Sequence, residues 1–290
     1  MHRIGGLREL LLRYRRRLPG TIARIGSCLL IVPRHLAVGS SMLAGSLGAN
    51  RGPTAVPRRA EAGPPLCGDH AVAAVAVTVC EVDLRRDSLR LYWQDDDGRP
   101  LATFSRLNAL VGREGRTLRF ATNAGMFDRQ HRPVGLYVQN DSTYIPLNLR
   151  DSVDDPQPNF YLAPNGVFAV ANGRAMIAES HAFARMGIAP TLATQSGPLL
   201  VQAGRIHAGI SPAGRSRKTR SGVGIRADGT VVFAITQDPA TFYEFATLFR
   251  DALGCPDVLF LDGGLSEVYR GPDFPDSRGR FGAIFAVTDR

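Results

Sequence analysis

The chain has 290 residues, a formal net charge of +9, 44% hydrophobic residues and a mean hydropathy of −0.06. That length admits one large domain or two small ones, and the composition excludes wholesale disorder and a multi-span membrane protein. The 31 Gly and 19 Pro follow no short period, which excludes a collagen-like or coiled-coil fibre. The charge is uneven: residues 1–60 hold eleven Arg and one Glu, a net of +10, whereas residues 61–290 hold 24 basic and 25 acidic residues, a net of −1. The basic character therefore belongs to the leader, and nucleic-acid binding by charge has no support.

Residues 1–49 read as an export signal or a disordered leader. Arg13, Arg15, Arg16 and Arg17 form a basic run, an apolar stretch at 25–33 follows, and small residues reach Ala44, Gly45 and Ser46. A basic start, a weak apolar centre and small residues are the pattern of an export signal, and the long Arg-rich start also suits a twin-arginine route. Export to a periplasmic or extracellular location is the expectation. No run of 18 apolar residues occurs, so no stable membrane span is expected. Residues 50–66, rich in Pro, Gly, Arg and Ala, read as a linker to a body at 67–290. Cys28 lies in the leader. Cys67 and Cys80 are either a disulfide closing a short loop or two unpaired thiols, and Cys255 is left alone. No Cys-x-x-Cys is present, no cofactor motif occurs, and the residues assign no metal site.

Within the body, residues 71–84 and 88–94 read as a hairpin-like strand pair around Arg85, Arg86 and Asp87. Asp95, Asp96, Asp97 and Gly98 read as a solvated turn; the spacing and closing Glu of a calcium loop are missing. Further strands are predicted at 118–121, 135–139, 166–171, 175–178, 199–202, 222–226, 231–236, 258–261 and 283–288. Two helices are expected. The clearer spans 242–253, with Phe242, Phe245, Phe249 and Leu253 at helical spacing, a Thr241/Glu244 capping box and Gly254 as its stop. The fold class is α+β: a strand-rich single body with mixed or antiparallel sheet and a few helices.

Four segments place short polar residues beside glycine at the ends of apolar strands. They are residues 120–128 (FATNAGMFD), 193–200 (ATQSGPLL), 218–224 (KTRSGVG) and 259–266 (LFLDGGLS). Glycine exposes backbone N–H groups there, so four such tips argue for one polar cleft. Asp262 follows a buried strand and can act as base, nucleophile or metal ligand, or simply close an Asp-Gly-Gly turn. Asn123 can bond a sugar hydroxyl or a phosphate oxygen, or occupy a left-handed turn. Arg220 borders its strand and is expected to point into the site, while Arg215, Arg217 and Lys218 read as a solvated loop. His131, His181 and His207 stand in polar loops; Gly-x-Ser-x-Gly, Walker A and the dinucleotide fingerprint are absent.

These segments, with residues 133–136 (PVGL) and 164–168 (PNGVF), resemble in order the phosphodiester glycosidase family, the domain also found in the mannose 6-phosphate uncovering enzyme. TQSGP at 194–198 and FYEFA at 242–246 resemble its bacterial branch. The resemblance implies hydrolysis of a sugar 1-phosphate diester on a sugar-phosphate or phosphorylated glycan substrate. It assigns Asp262 to the anomeric centre or the attacking water, with Asp128 as a second acid–base candidate. Arg220 with the N–H groups of Gly263 and Gly264 is expected to hold phosphate, and Asn123 and Gln195 to position the sugar. Ser196 and Ser266 join them on the substrate side. The alternative is a non-catalytic carbohydrate- or phosphate-binding module that keeps the polar cleft.

Overall fold

The computed structural model describes residues 66–72, 75–150, 159–272, 277–278 and 280–289. The expected leader, with Cys28, lies outside the described residues, as does the linker apart from Leu66, whose carbonyl accepts the Glu81 N–H at 2.8 Å. The described residues belong to one compact unit, Glu61–Arg290.

In chain order, β1 (Cys67–Val72) pairs antiparallel with β2 (Val75–Val82), and β3 (Ser88–Tyr92) follows. Helix α1 (Phe104–Arg113) precedes β4 (Leu118–Asn123), β5 (Tyr137–Gln139) and β6 (Ser142–Ile145). Next come β7 (Gly166–Ala171), β8 (Arg174–Glu179), α2 (Ser180–Met186), β9 (Leu192–Ser196), β10 (Leu199–Gln202) and β11 (Arg205–Ile206). Strands β12 (Ser221–Ile225) and β13 (Val231–Thr236) lead to α3 (Phe242–Thr247), which runs on into a π-type turn at Leu248–Ala252. Strands β14 (Asp257–Asp262), β15 (Val268–Tyr269) and β16 (Ile284–Thr288) complete the described elements.

The strands form three sheets, ordered β1-β2-β13-β12-β14-β10-β11, β15-β4-β16-β3 and β6-β5-β9-β7-β8. Every ladder among them is antiparallel, and the class is α+β. The sheets share one core. Phe233 of the first, Phe120 and Phe285 of the second and Phe168 of the third are fully buried, with ring centroids 5.0–6.5 Å apart. Each ring contributes about 1.5–3 kcal/mol by its burial, so the sheets are locked together by a few large side chains. On the other face of the seven-stranded sheet, Phe245 and Phe249 pack among Val232, Val258 and Phe260. Both bonds of the Thr241/Glu244 capping box are formed, at 3.1 and 2.8 Å, and Gly254 stands at φ +68° beyond the helix.

The expected hairpin of residues 71–84 with 88–94 is not formed. β2 lies between β1 and β13, and β3 pairs with β16 in another sheet. The cause is burial on both faces. Cys80 and Val82 face the shared core while Val77 and Val79 face the helix side, so β2 takes an interior place with partners on both edges. Cys67 and Cys80 sit directly opposite in the β1–β2 ladder and are joined by a disulfide.

Candidate active site

Three sheets bring strand ends together at one point. β4 ends in Asn123, β12 begins with Ser221, β14 ends in Asp262 and β9 ends in Ser196. The β12–β14 ladder pairs Gly222 with Phe260 but Ser221 with Asp262, so Leu261 is the extra residue of a bulge. A bulge re-aims the residue that follows it. This one delivers Asp262 at the strand mouth, half-buried, with Leu261 held by the Ser196 hydroxyl, which donates to its carbonyl at 3.0 Å.

Ser221 is the hub. Its Oγ accepts from Asn123 Nδ2 at 2.8 Å and from the Asp262 N–H at 3.2 Å, and lies 3.0 Å from both the Asp262 carbonyl and Ser266 Oγ. Each hydroxyl has one proton. That of Ser266 goes to the Asp262 carbonyl at 2.7 Å, which leaves Ser221 to direct its own to that carbonyl or to Ser266. The segment after Asp262 is tied down as well, since Thr122 Oγ1 donates to the Glu267 carbonyl at 2.8 Å. Asn123, Ser221 and Thr122 are at most 1% exposed, so these bonds form away from competing water.

The Asp262 carboxylate is half engaged. Oδ1 accepts the N–H groups of Gly263 at 2.6 Å and Gly264 at 2.9 Å. Among the described residues no donor reaches Oδ2. A carboxylate with one oxygen fixed and the other open is oriented and still able to accept a proton or face a cation. The same bonds correct one expectation: the Gly263 and Gly264 N–H groups point at Asp262 itself and do not stand open for phosphate.

Arg220 departs from expectation too. Its backbone precedes the hub, but its guanidinium turns into the helix face and is 1% exposed. Nε donates to the Ala240 carbonyl at 2.6 Å and Nη2 to the Ser216 carbonyl at 2.8 Å, with the guanidinium carbon 3.7 Å from the Phe242 ring centroid. Burial lowers its pKa to about 10, opposed by the charge of Glu244. The aromatic face and two carbonyls replace water around the cation, so Arg220 braces the entry to β12 and fixes Ser221.

Gln195 is not at this junction. Its Oε1 accepts the N–H groups of Leu136 at 3.0 Å and Asn148 at 2.9 Å, and its Nε2 donates to the Asn148 carbonyl at 2.7 Å and Ser180 Oγ at 2.9 Å. Both amide protons and both acceptor sites are taken, which leaves nothing for a sugar. The neighbouring glycines are required by this packing: a Cβ on Gly125 would run into the Gln195 carbonyl, and one on Gly135 would lie 2.5 Å from Gln195 Oε1. Asp128 also serves the backbone, its Oδ1 accepting from Gln130 and Arg132 at 2.9 Å in a tight turn. No bond links it to the Asn123–Ser221–Asp262 network. Among the described residues no group of three or more His, Cys, Asp or Glu converges to hold a metal, and no helix is long and apolar enough to cross a membrane.

Sequence reasoning does not single out Ser221 or Thr122. Ser221 lies within the RSGVG segment, and the signal available is a small hydroxyl at the first position of a glycine-bearing strand.

Every residue of this junction falls within 116–272, the stretch that matches the family model described as phosphodiester glycosidase. The chain is also 33% identical over 214 residues to the Escherichia coli (strain K12) protein YigE, covering 73% of this chain and 82% of that one. The chain belongs to the phosphodiester glycosidase family. That family is one of hydrolases, and its architecture recurs in a solved structure. The catalytic domain of zebrafish N-acetylglucosamine-1-phosphodiester alpha-N-acetylglucosaminidase aligns with a TM-score of 0.52 at 14% identity, covering 79% of this chain and 85% of that one. At that identity the likeness is one of fold.

Proposed function

We propose that this phosphodiester glycosidase family member hydrolyses a sugar 1-phosphate diester, releasing the sugar from a phosphorylated acceptor on an exported glycan. The supporting observation is Asp262, whose peptide is clamped by Ser221 and Ser266 and whose Oδ1 is clamped by two N–H groups, with Oδ2 open. In this reading Oδ2 faces the anomeric carbon, where it stabilises oxocarbenium charge or takes the proton of the attacking water. Asn123 acts through Ser221, holding the Asp262 peptide in register. The phosphate monoester departs as a stable anion and asks little of a general acid, consistent with Asp128 being committed to its turn. Positive charge on the phosphate side comes from Arg215 and Lys218 in the exposed segment before Arg220. The basic leader and the Cys67–Cys80 disulfide support an oxidising, exported location.

The test is turnover of a simple alkyl diester of N-acetylglucosamine 1-phosphate, the linkage in the zebrafish enzyme's name. Free sugar released by the wild type and not by Asp262→Asn is the expected result. Diester binding with no release by the wild type would make the cleft a binding module instead.

A further inference from the structure

Away from the Asp262 network, a cavity of about 320 Å³ opens along β3, between the β5–β6 hairpin and the end of α1. Among the described residues β3 is the outer strand of its sheet, and its far edge carries backbone groups with no ladder partner there. Tyr92 pairs with Ile284 and Ile284 with Asn123, which sets the cavity two strand spacings, about 10 Å, from the end of β4.

Several of its polar groups are satisfied within the protein. The Tyr92 hydroxyl accepts from Arg116 at 3.2 Å, Arg116 is paired with Glu114, and the Tyr137 hydroxyl donates to Gln139 Oε1 at 2.5 Å. Asp95 is engaged by the backbone of Asp97 and Arg99 and by Arg106. Asp96, also on the lining, pairs with Arg113 at 3.8 Å. Arg90 donates Nε to Ser88 Oγ at 3.3 Å, and no carboxylate lies within ion-pair distance of it among the described residues. The Gln139 Nε2 and the side-chain amide of Asn140 have no protein partner among the described residues. Tyr144 leaves 54% of its surface exposed, its ring centroid 6.1 Å from that of Tyr137.

We infer that this cavity binds a sugar unit bearing an acidic group. The anion pairs with the Arg90 guanidinium, which has no carboxylate partner among the described residues, the hydroxyls meet the planar amides of Gln139 and Asn140, and one C–H face of the ring lies on Tyr144. The volume is at the small end of ligand pockets and suits one ring better than a chain. A carboxylate and a phosphate present the same oxygen array to Arg90, so a uronic acid and a sugar phosphate are the two sources of this chemistry. The inference stands apart from the proposed hydrolysis, since no residue of the Asp262 network lines the cavity.

Calorimetric titration of the full chain with glucuronic acid, glucose 6-phosphate and glucose tests it. Both acids, or one of them, are expected to bind at least about tenfold more tightly than glucose. Arg90→Ala removes that preference, Tyr144→Ala weakens all three sugars, and Asp262→Asn binds like the wild type. The acid that binds better identifies the source, and unchanged diester turnover by Arg90→Ala separates this site from the catalytic one. Arg90→Gln repeats the test should Arg90→Ala unfold. No binding of either acid at about 10 mM, equal binding of glucose, or wild-type binding by both Arg90 variants overturns the inference.

Discussion

Two polar clusters close strand ends in this protein, and they differ in what each leaves over. Around Gln195, four hydrogen bonds tie β9 to the 136 and 148 segments and to Ser180, and the amide has no capacity to spare. Around Ser221, a comparable set of bonds joins β4, β12 and β14, yet one carboxylate oxygen of Asp262 has no donor among the described residues. Burial and bonding alone therefore do not mark a site. A fully satisfied buried network holds the fold, while a network that immobilises a group and leaves part of it open is built to act on something else.

Four variants can break or sharpen this contrast. Asp262→Asn should lower turnover about 10²–10⁴-fold while leaving the thermal midpoint nearly unchanged, read by diester hydrolysis and by calorimetry. Gln195→Leu should do the reverse. It strands the N–H groups of Leu136 and Asn148, costs about 2–4 kcal/mol and lowers Tm by about 5–15 °C, with turnover per folded molecule within about threefold of wild type. If the two variants exchanged behaviours, the assignment of fold and chemistry to these clusters would be inverted.

Removing the disulfide with Cys67→Ser and Cys80→Ser should cost about 2–3 kcal/mol in chemical denaturation, since the loop it closes is short and the β1–β2 ladder remains. Ser221→Ala is the finest probe. It unties Asn123 from the Asp262 peptide without touching the carboxylate, and should lower turnover about tenfold with an unchanged pH profile. A loss as large as that of Asp262→Asn would mean that Ser221 takes part in the chemistry and is more than a support.

The glycine-flanked tips at Asn123 and Asp262 are legible in the sequence because four such polar tips recur at the ends of apolar strands, and the capping box at Thr241 is legible because it is local. Long-range features are not. Besides the adjacent β1, β2 pairs with β13, and β3 pairs with β16; both of those partners lie more than 140 residues further on, and nothing in residues 71–94 encodes that separation. The polar letters of LATQS at 192–196 conceal a strand buried along its whole length, since its Gln is satisfied only by segments that the fold brings to it. Arg220 looks like a ligand for phosphate because its aromatic partners Phe242 and Phe260 lie 22 and 40 residues further on. The short helices α1 and α2 are harder to read, although α1 carries Phe104, Leu107, Leu110 and Val111 at helical spacing behind a Thr103 cap.

Hydrolysis in heavy-oxygen water tests the central claim most directly, because it reports which bond the open oxygen of Asp262 serves. With attack at the anomeric carbon, the wild-type enzyme should place the label in the released sugar and none in the phosphate monoester. Label in the phosphate would show cleavage of the P–O bond and contradict the proposed action of Asp262 at the anomeric centre.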